Sequence, residues 1–106
     1  MLNKKEALLK TLDDVKNPKE KVSVIHAAFG DKPHVVAFVE VEKDWTDMEK
    51  LEYAFMKTNT INEAWYASKY VEYVGPEPGC RSTSVGDKVL VGATTYVCEG
   101  SGWSKE

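Results

Sequence analysis

One short segment carries many of the side chains in this 106-residue chain that could do chemistry together. Residues 80 to 87 read Cys-Arg-Ser-Thr-Ser-Val-Gly-Asp and contain the only arginine, Arg81, since every other basic residue is a lysine or histidine. A planar guanidinium can hold a carboxylate or phosphate through two parallel hydrogen bonds, which an ammonium cannot do. The hydroxyls of Ser82, Thr83 and Ser84 could bind the same anion. The segment therefore predicts a site for an anion or a polar partner.

The same segment also has a purely structural interpretation. Residues 82 to 84 would form an edge strand, Gly86 and Asp87 would make a tight turn, and Arg81 would pair with a nearby carboxylate. Short motifs often occur without the function that they suggest. The two-glycine and Gly-Lys-Ser/Thr spacing of a phosphate-binding P-loop is absent. Both interpretations, binding site and structural turn, stay open from the sequence.

Catalytic and metal-binding constellations have weak support from spacing. Four residues could in principle meet at a zinc ion: His26, His34, Cys80 and Cys98. No Cys-x-x-Cys or His-x-x-x-His spacing supports that site, so we predict no metal and no cofactor. The Gly-x-Ser-x-Gly elbow of a serine hydrolase is also missing. An enzyme with a hydroxyl or thiol nucleophile would need a base within about 3 Å of it. We therefore predict that the protein is not an enzyme.

Composition sets the broad class of the protein. A length of 106 residues suits one domain, and no run of about 18 apolar residues predicts a membrane span. Charges near the N-terminus argue against a signal peptide, so a cytoplasmic location is expected. The net charge of −3 and pI near 5.4 argue weakly against non-specific nucleic-acid binding. Two cysteines are too few for a disulfide scaffold, and both should be free thiols.

The segment must be positioned by helices and strands that the hydrophobic pattern predicts. Residues 4 to 16 predict an amphipathic helix whose apolar stripe consists of Leu8, Leu9, Leu12 and Val15. Residues 21 to 29 and 34 to 42 predict an antiparallel hairpin around a Gly-Asp-Lys-Pro turn. Further strands are predicted at residues 70–74, 88–91 and 94–98, and the C-terminal residues are expected to be flexible unless Trp103 anchors them.

A second helix is predicted between the hairpin and the third strand. It opens at the capping box Thr46-Asp47-Met48-Glu49 and fails around Thr58-Asn59-Thr60. Its buried stripe is expected to comprise Met48, Leu51, Ala54 and Phe55. Its solvent-facing side is expected to comprise Glu49, Lys50, Glu52 and Lys57. Strands grouped in blocks favour an α+β fold, with a mainly antiparallel sheet of about five strands packed with one or two helices.

Trp65 and Tyr66 follow the polar break at residues 58–60. If this pair is exposed, it would mark a partner surface or a base-stacking surface. Core packing is the more common fate of a tryptophan, and the indole N–H of Trp65 would then bond a loop carbonyl.

The motifs in this order resemble a group of small uncharacterised proteins encoded by bacteriophages, plasmids and bacteria. They are Thr58-Asn59-Thr60-Ile61, Trp65, the string from Arg81 to Asp87, Tyr96-Val97 and Gly102-Trp103. The resemblance covers residues 21–103 as a shared core within one domain of residues 1–106, and leaves the helix in residues 1–17 as an addition. It implies a mobile-element setting and no catalytic activity. It also implies that these motifs cluster in space, where Asn59 and the hydroxyls would either cross-bond two loops as a structural network or line a small polar pocket.

The leading functional hypothesis is a phage or mobile-element accessory protein that binds a host or phage macromolecule, most simply a protein. Its candidate binding residues are Asn59, Trp65, Arg81, Ser82, Thr83 and Ser84. The alternative is a nucleic-acid or nucleotide binding module, which requires lysines 4, 5, 10, 69 and 88 to converge near Arg81. The oligomeric state stays open, and the N-terminal helix could complete the core or form a dimer interface.

Overall fold

The computed structural model describes residues 18–60 and 64–106. The predicted helix at residues 4–16 and the residues 61–63 lie outside the described part. Within it, six antiparallel strands form one sheet in the order β3-β2-β1-β4-β5-β6. The strands are β1 (Lys19–His26), β2 (His34–Glu42), β3 (Val71–Tyr73), β4 (Lys88–Val91), β5 (Thr94–Glu99) and β6 (Gly102–Lys105).

Alternating valines build the buried face of the sheet. Val22 of β1 pairs with Val39 of β2, and Val24 of β1 pairs with Val89 of β4. All four side chains are fully buried. Successive residues of a strand point to opposite faces, so this spacing directs them to one side. The register between β1 and β2 shifts after Val24, which is the signature of a β-bulge.

In the described part of the chain, one α-helix, α1 (Asp47–Thr58), covers that face. The capping box predicted at Thr46 and Glu49 is present, since each side chain bonds the backbone N–H of the other. Leu51 and Ala54 are fully buried against the valines. A short 3-10 helix, Trp65–Ala67, follows in the described chain. Burial of these apolar side chains is the main favourable contribution to folding.

The predicted faces of α1 need two corrections. Met48 was expected in the core, but it is about half exposed. Lys50 was expected in solvent, but it is buried and its ammonium pairs with Glu20 of β1. The helix is rotated about its own axis so that residues 50, 51, 54 and 58 face the sheet. A lysine can lie there because its long stem is apolar and its charge reaches a carboxylate.

The α+β prediction is confirmed, and several boundaries change. The C-terminal residues form a sixth strand, β6, which pairs with β5 through Cys98 and Trp103. The first strand begins at Lys19 and ends at His26, whereas residues 21–29 were predicted. The third strand is limited to residues 71–73. Residues 82 to 84 do not form a strand, because their backbone groups bond other partners, described below.

The two ends of the sheet differ. The turn between β1 and β2 and the segment 80–87 lie at one end, which is named the loop end here. Pro18, the start of α1 and the turn at Gly92-Ala93 lie at the other. Within the described residues, no helix is long and apolar enough to cross a membrane.

Candidate functional site

The carboxylate of Asp87 is the centre of the polar segment. Asp87 is fully buried at the beginning of the last three strands. Its two oxygens accept hydrogen bonds from the backbone N–H groups of Ala27 (2.8 Å), Ala28 (2.9 Å) and Ser84 (2.8 Å). A buried carboxylate is costly unless it is hydrogen-bonded and paired. These bonds join the end of β1 to the segment 81–87.

Arg81 completes the environment of this carboxylate. Its guanidinium donates to both oxygens of Asp87, at 2.6 and 2.9 Å, in the two-point geometry typical of arginine. It also donates to Asp31 at 3.0 Å. Burial alone would raise the pKa of Asp87, but Arg81 and the three backbone donors lower it to about 2. The hydrogen bonds of Arg81 to Asp87 and Asp31 raise the pKa of the guanidinium.

The local sequence explains why Asp87 reaches this position. The N–H of Asp87 bonds the carbonyl of Ser84 at 3.0 Å, which closes a turn. Gly86 within it has φ +97°, a conformation that other residues rarely adopt. A Cβ on Gly86 would lie 3.2 Å from that of Ala28, so the two loops touch there. The predicted Gly-Asp turn is therefore present, and it packs against Ala28, just after the end of β1.

A second group of side chains forms a chain of hydrogen bonds beside Asp87. Thr58 donates its hydroxyl to the carbonyl of Ala54 at 2.8 Å, and Thr83 donates to Thr58 at 2.8 Å. Nε2 of His26 lies 3.1 Å from the Thr83 oxygen. A carbonyl can only accept and each hydroxyl has one hydrogen, so Nε2 of His26 must be the donor. The chain thus fixes the tautomer of a buried imidazole.

His26 and Cys80 form the pair that most resembles a catalytic one. Sγ of Cys80 lies 4.0 Å from Nδ1 of His26. Burial raises the pKa of the Cys80 thiol and lowers the pKa of His26. Both shifts favour the neutral forms, whereas a cysteine nucleophile needs its thiolate. The geometry therefore gives the enzyme hypothesis a contact but no activated group.

The remaining candidate residues also have partners within the chain. Nδ2 of Asn59 donates to the carbonyl of Thr83 at 2.5 Å, and the indole N–H of Trp65 donates to the carbonyl of Arg81 at 3.2 Å. The hydroxyl of Ser82 bonds the carbonyl of Thr60, and that of Ser84 bonds the carbonyl of Ser82. Trp65 is buried, so the exposed aromatic pair considered from the sequence is absent.

The structure thus brings all six candidate residues into one internal network. Asn59 and the hydroxyls of Ser82 and Thr83 bond the end of α1 to segment 80–87. The sequence matches no family model, no curated protein and no solved structure. The role of the six residues as ligand contacts stays a prediction. Their internal bonds favour positioning of the loop end.

Two other sequence hypotheses can be compared with these positions. In residues 18–60 and 64–106, no three His, Cys, Asp or Glu side chains are grouped as a metal site requires. Lys69 lies over the ring of Tyr70 and Lys88 pairs with Glu106, so neither is directed to Arg81. Lysines 4, 5 and 10 are outside the described part.

One residue that the sequence did not single out dominates the surface of this region. Phe29 is 77% exposed and lies in the turn from Ala28 to Asp31, closed by the Asp31 N–H on the Ala28 carbonyl at 3.1 Å. Its φ is +58°, and that of Gly30 is +79°. Positive φ at both central positions is typical of a type I′ turn, which favours Asn-Gly. In the sequence, a phenylalanine in place of the usual asparagine before Gly30 was the feature that could have identified this position.

Proposed function

We propose that this chain is a protein-binding module whose contact surface is centred on Phe29 and Val85 at the loop end. The observation that carries the proposal is Phe29, an exposed aromatic ring on a backbone with positive φ. The resemblance suggests a phage or mobile-element setting, in which the partner would be a host or phage protein. The proposed surface adjoins Arg81, which the sequence hypothesis named, and excludes Trp65, which is buried.

The backbone of Phe29 makes its identity informative. A left-handed conformation costs an L-residue about 1–2 kcal/mol, and asparagine or glycine tolerate it best. The exposed ring gains nothing from burial, and its contact with Arg81 offsets only part of the backbone cost, about 0.5–1 kcal/mol for an exposed cation–π pair. Residues that violate local rules without a structural gain are concentrated at functional sites. This supports selection of Phe29 for contact with another molecule.

The polar network explains how such a ring could be held ready. The Asp87 carboxylate fixes the N–H groups of Ala27 and Ala28, immediately before Phe29. It also fixes the N–H of Ser84, immediately before the exposed Val85. The guanidinium carbon of Arg81 lies 4.8 Å from the centre of the Phe29 ring, within the range of a cation–π contact. A preorganised contact surface loses less entropy on binding.

The chemistry of this surface favours a protein over a nucleic acid. Arg81 already donates to two carboxylates, Asp87 and Asp31, so a phosphate would have to compete with both. Phosphate binding relies on clustered basic residues, and described lysines named for that hypothesis are engaged elsewhere. Exposed aromatic residues beside an arginine are the composition of interface hot spots in protein complexes.

The test uses paired substitutions at residue 29. Affinity capture from a host lysate identifies candidate partners, and each purified candidate is then titrated against the variants. Phe29→Asn should raise the dissociation constant by about thirtyfold, which is the effect of losing a hot-spot side chain. Phe29→Tyr keeps the ring and should bind nearly as wild type does. Ala93→Asn, in the turn at the opposite end of the sheet, is the control.

Other results would contradict the proposal. Equal binding by wild type and Phe29→Asn would show that the surface is elsewhere. Loss of binding in Ala93→Asn as well would indicate a non-specific effect. Saturable binding of single-stranded oligonucleotide at low salt, weakened by Arg81→Lys and not by Phe29→Asn, would favour the nucleic-acid alternative.

A further inference from the structure

A second apolar surface follows the outer side of α1. It is called the α1 groove here and comprises Trp45, Met48, Tyr53, Met56 and Tyr70. Met48 is 49% exposed and Met56 is 55% exposed, and Tyr70 is also about half exposed. Methionine side chains adapt their shape to a partner, and they are frequent where amphipathic helices bind. This surface is separate from the proposed contact surface at Phe29.

The walls of the α1 groove are ordered by contacts among its rings. Trp45 meets Tyr53 edge to face, with ring centres 5.2 Å apart. The ammonium of Lys57 lies 4.2 Å from the centre of the Tyr70 ring and 5.4 Å from that of Tyr53. Two hollows of about 520 and 490 Å³ share Trp45 and Tyr53 as lining residues. The first follows α1 past Met48 and Met56, and the second continues from Tyr53 to the end of β2 and Tyr70.

The N-terminal part of the chain enters the described structure beside these hollows. The carbonyl of Pro18 accepts a hydrogen bond from the N–H of Lys43 at 2.8 Å. Lys19, the next residue along the chain, lines the same hollow as Trp45 and Tyr53. The described chain therefore begins at one end of the α1 groove. A segment leaving from this point needs no linker to reach it.

The N-terminal sequence has the length and the pattern to fill the α1 groove. Residues 4–16 would span about 20 Å as a helix, and the 12 residues of α1 span about 18 Å. Four apolar residues recur on one predicted face: Leu8, Leu9, Leu12 and Val15. The segment contains four lysines and three acidic residues, and both Glu49 and Lys57 border the groove, so the fit depends on the apolar stripe and not on net charge.

We propose that residues 4–16 dock in the α1 groove of the same chain as an amphipathic helix, with the leucine stripe on Met48 and Met56. Helix docking in a hydrophobic groove is a common mode of recognition, read through residues at i, i+3, i+4 and i+7. A covalently attached segment needs little intrinsic affinity, because its effective concentration at the groove is high. The proposal is independent of the contact surface at Phe29.

Hydrogen exchange of the full chain tests the proposal. Amides of residues 4–16 should exchange at least about tenfold more slowly than in an unstructured peptide, since docked helices open rarely. The double variant Met48→Lys with Met56→Lys should lose this protection, while amides of β1 stay protected. Val74→Lys, at an equally exposed position (49%) near the loop end, should keep it.

A reciprocal measurement examines the same contact from the other side. Leu8→Lys with Leu12→Lys should make Met48 and Met56 react faster with peroxide, and Ala7→Lys on the opposite predicted face should not. Unprotected amides at residues 4–16 in the wild type would overturn the proposal, as would protection that persists in the methionine variant. Protection that rises with protein concentration would assign the groove to a second copy and also overturn it.

Discussion

At the scale of single residues, Asp87 and Phe29 have opposite costs and are linked. Asp87 is a buried charge that five hydrogen bonds satisfy. Phe29 is an apolar ring left in solvent on an unfavourable backbone. The first fixes the backbone that carries the second. The polar segment that suggested an anion site is, in the structure, a support for an apolar surface residue.

The conformation of Phe29 leads to a prediction about stability. Phe29→Asn should stabilise the protein by about 0.5 kcal/mol, because relief of the left-handed strain exceeds the lost contact with Arg81. Phe29→Ala keeps the strain and loses the ring, so it should be less stable than wild type. Urea unfolding of the three proteins would measure this order. If Phe29→Ala were more stable than Phe29→Asn, the result would contradict a strained turn.

At the scale of elements, the end of α1 is joined to segment 80–87 by side chains and backbone together. The N–H of Thr83 bonds the carbonyl of Thr58 at 2.9 Å, and their hydroxyls bond each other at 2.8 Å. Asn59 then caps the carbonyl of Thr83. Three residues that end a helix therefore also fasten it to the loop that carries Arg81.

This junction predicts a difference between two substitutions at one position. Thr58→Val keeps the shape but leaves the buried Thr83 hydroxyl without its acceptor, which should cost about 1–3 kcal/mol. Thr58→Ser keeps the hydroxyl and loses one methyl group, which should cost about 1 kcal/mol. Thermal and urea unfolding of both variants gives the comparison. A Thr58→Val variant as stable as wild type would mean that the hydroxyl chain contributes nothing.

The sequence predicted elements where local chemistry determined them. The capping box at Thr46 and the turn at Gly92-Ala93 depend on adjacent residues, and both are present. Strand β6 was missed because it has only four residues, of which Gly102 and Lys105 are of types depleted in strands, and it pairs because β5 offers an edge. The positions of Met48 and Lys50 depend on the rotation of α1 against the sheet, which apolar spacing defines only approximately.

In the candidate site, too, features that depend on nearby residues were predicted and features that depend on distant residues were not. The internal partner of the arginine was one of two interpretations, and the hydroxyls were expected to bond across loops. The identity of that partner could not be predicted, because Asp87 reaches the N–H groups of Ala27 and Ala28 across about 60 residues of sequence. Positive φ at Phe29 follows from the geometry of a hairpin turn, which composition does not reveal.

At the scale of the whole molecule, buried titratable groups near β1 make stability depend on pH. His26 is surrounded by the charged or titratable side chains of Asp31, His34, Cys80, Arg81 and Asp87. Its pKa is lowered from 6.5, chiefly by burial. The unfolded chain then binds a proton at higher pH than the folded chain does, so stability falls as pH decreases below about 6.5.

Asp87 adds a second transition at lower pH. Its pKa falls from 3.8 in the unfolded chain to about 2 in the fold, so its contribution of about 2 kcal/mol is lost as pH decreases through that interval. Urea midpoints measured from about pH 7 to about pH 5 should decline for wild type and stay nearly constant for His26→Gln. A flat wild-type profile in that range would refute the role of His26.

The strand order also determines when each part of the sheet can form. The middle strand β1 pairs with β2, which follows it directly, and with β4, which begins at Lys88. During synthesis the hairpin can close early. The other edge of β1 can pair only after β4 has been made, and more than half of the chain lies between β1 and β4. Residues 74–87, which include segment 80–87, carry the chain from β3 past β2 and β1 to that edge. Closure of the Asp87 carboxylate on Ala27 and Ala28 is therefore a late event, after which both halves of the sheet are joined.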